Sequence, residues 1–264
     1  MESSLLKQIA DNTEKTARNT EPKTSFFIAL CERSSRIRYN FSPVLELDKN
    51  KNYEMALVDL ETYYSFPNID ETKNNFKYSP NGQTPWVNID VPEGCYEITD
   101  INENIQRIMK ENGHYNSANG EYYITIEPNN NTLKTVLNIK GDYMVDFMPN
   151  NSIRTVLGFN NWIYSGGYNE SEHLVNIMSV SCLRVTNDII AASYSNGTLV
   201  NLIYSFFPKV GPGYKIIQEP HKLIYQPITL STISTMTTTL TDQNGKLINL
   251  RGDELSIRFH VRQV

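Results

Sequence analysis

The sequence predicts an all-β fold, two packed antiparallel sheets in a sandwich or jelly roll. Three observations carry this. Residues 255–262 place Leu255, Ile257, Phe259 and Val261 at every second position, with Ser256, Arg258, His260 and Arg262 between them. Side chains alternate faces along a strand, so this stretch has one dry and one wet face. The run from Thr232 to Thr241 is rich in β-branched threonine, with Met236 and Leu240 able to share a face, and so favours strand. Further short apolar or alternating runs follow one another between turn residues, with no strand–helix–strand alternation. Asn244-Gly245 suits the positive φ of a tight turn, so residues 232–262 read as a final hairpin whose last strand completes the core.

The elements follow in order. Leu5, Leu6, Ile9 and Ala10 make a short helical stripe in residues 1–23, which Pro22 ends. It is too short to stand alone in water and reads as an N-terminal arm, either a frayed tail or a segment ordered against a neighbouring subunit. Phe26–Cys31 reads as a buried strand, and Arg36–Phe41 as an alternating one stopped by Pro43. Tyr53–Tyr64 is a long strand broken by Phe66-Pro67-Asn68-Ile69, and weaker strands follow at 75–78 and 86–91. One helix interrupts the pattern: Asp100 and Glu103 have capping-box spacing, Ile101, Ile105, Ile108 and Met109 form a stripe, and Gly113 ends it. Strands resume over 121–127, 132–139 and 143–147. Ser152–Phe159 is a helical turn stopped by Gly158, and Trp162–Glu172 a loop around Gly166-Gly167. Leu174–Val185 and Ile189–Tyr204 complete the strands before the C-terminal pair.

Length and composition narrow the function. At 264 residues the chain holds a full core without disulfides, and its three cysteines, Cys31, Cys95 and Cys182, are widely spaced and read as reduced thiols. The net charge of −5 argues against binding nucleic acid through the whole chain. There is no apolar run long enough to span a membrane and no signal peptide. Five Asn-x-Ser/Thr sequons, in a chain this rich in Asn, read as chance. The four histidines are isolated, no nucleophile elbow or phosphate loop occurs, and Asp253-Glu254 is an adjacent acid pair beside a strand start. The chain is therefore read as a non-enzyme without cofactor or metal. Arg251-Gly252-Asp253 matches a receptor-binding tripeptide, but it falls between two strands, where Gly252 suits a tight structural turn.

Several stretches together resemble a family. They are Asn52–Leu60, Phe66-Pro67-Asn68-Ile69, Gly94–Ile101, Asn130–Lys134, Val156-Leu157-Gly158-Phe159, Phe206-Phe207-Pro208, Pro212–Ile216, and Asp242-Gln243-Asn244-Gly245 with Arg251-Gly252. In this order the chain resembles the penton (minor capsid) proteins of Polinton/Maverick elements and the related adintoviruses, over about residues 24–264. The resemblance implies one jelly-roll domain spanning 24–264, with residues 1–23 outside it. It implies a homopentamer at the five-fold vertices of an icosahedral capsid, surrounded by double-jelly-roll major capsid protein. The place of work would be the virion, after synthesis in the host cytoplasm or nucleus. The family's Arg-Gly-acid turn near the C-terminus agrees with a structural role for Arg251, Gly252 and Asp253. Adenovirus penton bases carry Arg-Gly-Asp in an inserted loop instead. Subunit contacts are expected at Leu5, Leu6 and Ile9 of the arm and at the aromatic residues Tyr63, Tyr64, Phe66, Trp162, Tyr164 and Tyr168, placed at strand ends or in loops. The alternative is a carbohydrate- or receptor-binding β-sandwich module.

Overall fold

The computed structural model describes residues 24–195 and 197–264. The expected arm, with Leu5, Leu6 and Ile9, lies outside the described residues. The chain opens with strands β1 (Ser25–Glu32), β2 (Arg36–Glu46) and β3 (Tyr53–Tyr63). It then passes through β4 (Asn75–Ser79), β5 (Val87–Asp90), helix α1 (Ile98–Glu111), β6 (Tyr115–Asn116), β7 (Glu121–Tyr122), β8 (Ile124–Asn129), β9 (Lys134–Asp146), the short α2 (Arg154–Leu157) and β10 (Ile163–Glu170). The last stretch holds β11 (Leu183–Asn187), β12 (Ser193–Ser195), β13 (Thr198–Val200), β14 (Leu202–Phe206), β15 (Lys215–Gln218), β16 (Gln226–Pro227), β17 (Thr232–Thr241) and β18 (Leu255–Gln263).

Strands from the two ends of the described chain build the sandwich. One sheet has the order β1-β18-β3-β15, with β16 also on β3, and the facing sheet has the order β14-β11-β17-β2. Counted one to eight along the chain, the main strands run 1-8-3-6 and 5-4-7-2. Each sheet thus interleaves early and late strands, which is the jelly roll. The cause is visible in the alternation: Ile28, Leu57, Ile257 and Phe259 point inward from one sheet and meet Ile37, Val185, Met236 and Leu240 from the other. Burying each such side chain stabilises the fold by ~1.5–3 kcal/mol.

Residues 67–179 leave the sandwich between β3 and β11 and bury a second core. Here a single sheet, β10-β9-β4-β5 with β8 also on β9, is covered on one face by α1. Ile98, Ile101, Ile105 and Met109 form the helix's dry stripe, and the Asn102 side-chain oxygen accepts the Ile126 N–H at 2.9 Å. Phe147 stacks on Phe159 at 5.1 Å and meets Tyr164 edge-on at 5.8 Å. The part of the chain expected to be one domain therefore carries two hydrophobic clusters.

Several local expectations change. The final hairpin does not form: β17 pairs with β2 and β11, whereas β18 pairs with β1 and β3 in the other sheet. Asp242–Gly245 does turn the chain, and Gly245 has φ +82, but residues 242–254 carry it across to the opposite sheet. Pro43 does not stop β2, because β2 is an edge strand with a bulge opposite Ile233–Thr235 and its missing N–H costs no ladder bond there. Phe26–Cys31 is half-buried, with Phe27 exposed on the outer side of an edge strand. The loop expected at Trp162–Glu172 is largely β10, bulged between Ser165 and Gly167. Residues 174–182 are irregular until β11 begins. The helix starts one turn earlier than expected, with Glu97 at the N-cap and Asp100, not Glu103, at the third position; the Asp100 carboxylate accepts the Glu97 N–H at 2.7 Å. It covers one face of the insert's sheet.

Candidate functional site

The richest set of cross-connections lies where the insert leaves the sandwich. β3 ends at Tyr63, and the next residue, Tyr64, exchanges main-chain bonds with the turn before β15: its N–H donates to Tyr214 O at 2.9 Å and its carbonyl accepts from Gly213 N–H at 2.8 Å. The Tyr64 and Phe66 rings lie 4.9 Å apart, and the Cys95 thiol donates to Phe66 O at 3.0 Å. Asn68 then clamps Tyr96 from both sides, its amide nitrogen donating to Tyr96 O at 2.7 Å and its oxygen accepting from Tyr96 N–H at 2.9 Å. Tyr64, Phe66, Tyr96, Met178, Val180 and Pro212 line a groove of about 400 Å³ here. Burial pushes the Tyr64 phenol and the Cys95 thiol up from their ordinary values. A thiol held neutral and bonded to a carbonyl is a packing group, not an activated nucleophile.

The connection from β17 to β18 braces the same junction. Gln243 donates to Ser179 O at 2.9 Å and accepts from Ser181 N–H at 3.2 Å. Asn249 donates to Glu93 Oε1 at 3.0 Å, and Arg251 approaches that carboxylate at 3.7 Å. Arg251 (φ +51) and Gly252 (φ +85) are both left-handed, and the turn closes with Asp253 N–H donating to Leu250 O at 2.9 Å. The Arg-Gly-Asp tripeptide is thus a surface turn whose arginine faces an insert carboxylate.

The expected contact residues divide. Tyr63, Trp162 and Tyr168 are exposed, at 44%, 63% and 64%. Tyr64, Phe66 and Tyr164 are buried in the chain's own cores. Tyr164 donates to Glu172 at 2.9 Å, and burial, reinforced by that carboxylate, pushes its phenol up to about 12. Trp162 immediately precedes β10, which ends its sheet and carries Ile163 and Tyr168 exposed.

The outward faces of the sandwich were not singled out in the sequence, and they differ. On the first sheet Arg258 pairs with Asp59, Arg262 with Glu54 and Lys215 with Glu61. On the second, Arg36, Arg38 and Arg184 stand among Thr235, Thr237, Thr239 and Thr186, and none forms an ion pair among the described residues. Arg36, Arg184, Thr186, Leu202, Thr239 and Thr241 line a depression of about 270 Å³ in this face. Charge divides in the same way. Residues 67–179 hold fourteen Asp or Glu against seven Lys or Arg, a net −7, while residues 24–66 and 180–264 hold thirteen Lys or Arg against eleven Asp or Glu, a net +2. Sequence alternation marked Arg36 and Arg38 as wet-face residues; which strands would lie beside them was not visible.

No protein-family model matches the chain, and no curated protein matches it. Among solved structures it is similar to the selenomethionine-labelled mavirus penton protein. The TM-score is 0.49 and the identity 10%, over 92% of this chain and 100% of that one. Among the described residues no three His, Cys, Asp or Glu side chains gather to hold a metal, and no helix is long and apolar enough to cross a membrane.

Proposed function

We propose that the chain is a minor capsid (penton) protein, five copies of which close a ring at each five-fold vertex of an icosahedral capsid built from double-jelly-roll major capsid protein. The reading rests on one observation. The stretches that carry the sequence resemblance are scattered from Asn52 to Gly252, yet residues from several of them, Phe66–Ile69, Gly94–Tyr96, Pro212–Tyr214, Gln243 and Arg251, meet at the junction between sandwich and insert. What they hold in common is the seating of one lobe on the other, which is the business of a protein that works by shape. A ring needs two different patches meeting head to tail, with roughly 1,000 Å² or more buried per contact. Residues 24–264 would supply the ring body and residues 1–23 an assembly arm, with Leu5, Leu6 and Ile9 on its dry side. No catalytic or cofactor chemistry is assigned, and the workplace is the virion.

Light scattering on the purified protein tests this. A species of about five times the 30.3 kDa chain mass supports the vertex ring. A stable trimer sinks it and moves a receptor-binding module to first place. Removing residues 1–23 then separates an assembly arm, whose loss dissolves the ring, from a tail.

A further inference from the structure

We propose that the Arg–Thr face of the second sheet is one half of the contact between neighbouring copies, and that its occupant is the acidic, aromatic β10 margin of the next copy's insert. This rests on the vertex reading and names the surfaces that would make the ring.

The first half is set by register. Arg38 lies beside Thr237 and Arg36 beside Thr239, which has Thr186 on its other side, and Arg184 lies beside Thr241 and Ser205. With strands ~4.8 Å apart and a two-residue offset along β17, Arg36 and Arg184 stand roughly 12 Å apart over a floor of threonine hydroxyls. Guanidinium groups favour carboxylates, which they hold through paired donors, and aromatic faces, on which they stack. This face offers both modes and has neither satisfied among the described residues, whereas the first sheet's outer face pairs Arg258, Arg262 and Lys215 internally.

The second half has the complementary chemistry. Asp146 lies opposite Ile163 in the β9–β10 ladder, and Asp142 is exposed in the same strand. Trp162 and Ile163 are exposed next to Asp146, and Tyr168, opposite Asn138, is exposed farther along the same edge strand. Eight residues of β10 span roughly 25 Å, close to the roughly 23 Å of β17 from Thr235 to Thr241. An uncovered strand edge with exposed aromatics invites indiscriminate pairing, and a neighbour seated on it removes that hazard. The two patches differ and sit on different lobes, so each copy offers one to each neighbour. That is the head-to-tail contact from which a ring closes.

The test is a charge swap read by light scattering, with melting curves confirming folding. Arg36→Glu with Arg184→Glu is expected to raise the dissociation constant of the contact on the order of a hundredfold and leave monomers. Asp142→Arg with Asp146→Arg should do the same. A chain carrying all four changes should assemble again, because every contact then pairs opposite charges. The milder Arg36→Gln with Arg184→Gln should weaken assembly without adding charge, which covers a reversal variant that fails to fold. A wild-type five-chain ring that the reversals leave intact, or that the four-fold variant does not restore, overturns the contact and spares the vertex reading. Another closed stoichiometry controlled by the swap keeps the contact and overturns the five-fold reading. A wild type that stays monomeric at its highest soluble concentration overturns the contact.

Discussion

The sandwich buries its core between two sheets whose strands come from both ends of the described chain, whereas the insert buries its core between one sheet and one helix, all within residues 67–179. The sandwich carries a net +2 and the insert −7. The first is a frame that exists only when distant segments meet. The second is a contiguous unit with its own dry interior, seated on that frame by a few named contacts. Two such cores should lose stability separately, and their coupling should be small.

The largest expected effects test that separation. Phe259→Ala in the sandwich and Phe147→Ala in the insert each remove a fully buried ring and should each cost ~3–5 kcal/mol. Hydrogen exchange should show Phe147→Ala opening the insert while β1, β3 and β18 stay protected. One transition shifted equally by both would break the comparison. Two left-handed glycines sharpen it next. At Gly158 (φ +84) an added Cβ would sit 2.3 Å from His173 O, so Gly158→Ala should cost about 3 kcal/mol from strain and clash together. At Gly252 (φ +85) the space is open, so Gly252→Ala should cost only the backbone term, about 1 kcal/mol. Denaturant midpoints of the two variants decide it.

Alkali should favour the sandwich. Burial pushes Tyr78 and Tyr164, both in the insert core, up to about 12 from 10.0. Their folded-state values lie above the unfolded one, so their contribution is complete below pH 10 and is lost as pH rises through about 12. Insert signals should therefore fade first in an alkaline titration followed by tyrosine absorbance and circular dichroism. The smallest effect concerns the brace. Glu93 and Arg251 are each 43% exposed, so a double-mutant cycle with Glu93→Ala and Arg251→Ala should yield a coupling of only ~0–1 kcal/mol. A much larger value would mean that the two regions unfold together.

The all-β class and the dry faces of β2, β17 and β18 were legible because alternation reports a strand's two faces directly. Pairing was not. Alternation says that Phe259 points inward; it does not say that His260 will lie beside Phe27, or that β17 and β18 will part into different sheets. The insert's separate core was hidden for the same reason, since Tyr78 and Phe259 look alike in sequence and differ only in their neighbours. β10 reads as a loop in sequence because Gly166-Gly167 and an outward Tyr168 spoil the pattern of a half-buried strand. Tyr64, Phe66 and Tyr164 looked like surface anchors because they sit near strand ends or among glycines; the core that swallows them is assembled from residues far away. The arginine face needed three strands, β2, β17 and β11, to come side by side before it existed at all.

One pairing sets the order of events during synthesis. Among the described residues β1 bonds to no strand but β18, and β18 fills the slot between β1 and β3. During synthesis β1 therefore waits for β18, which is made more than 220 residues later. Throughout that wait the sheet has a gap with Ile28 and Leu30 uncovered on one side and Leu57 and Leu60 on the other. The insert has every strand it needs by the time Glu170 is made. A nascent chain would thus carry a finished lobe on an unfinished frame, and a chaperone that shields the gap would matter more than one that helps the insert.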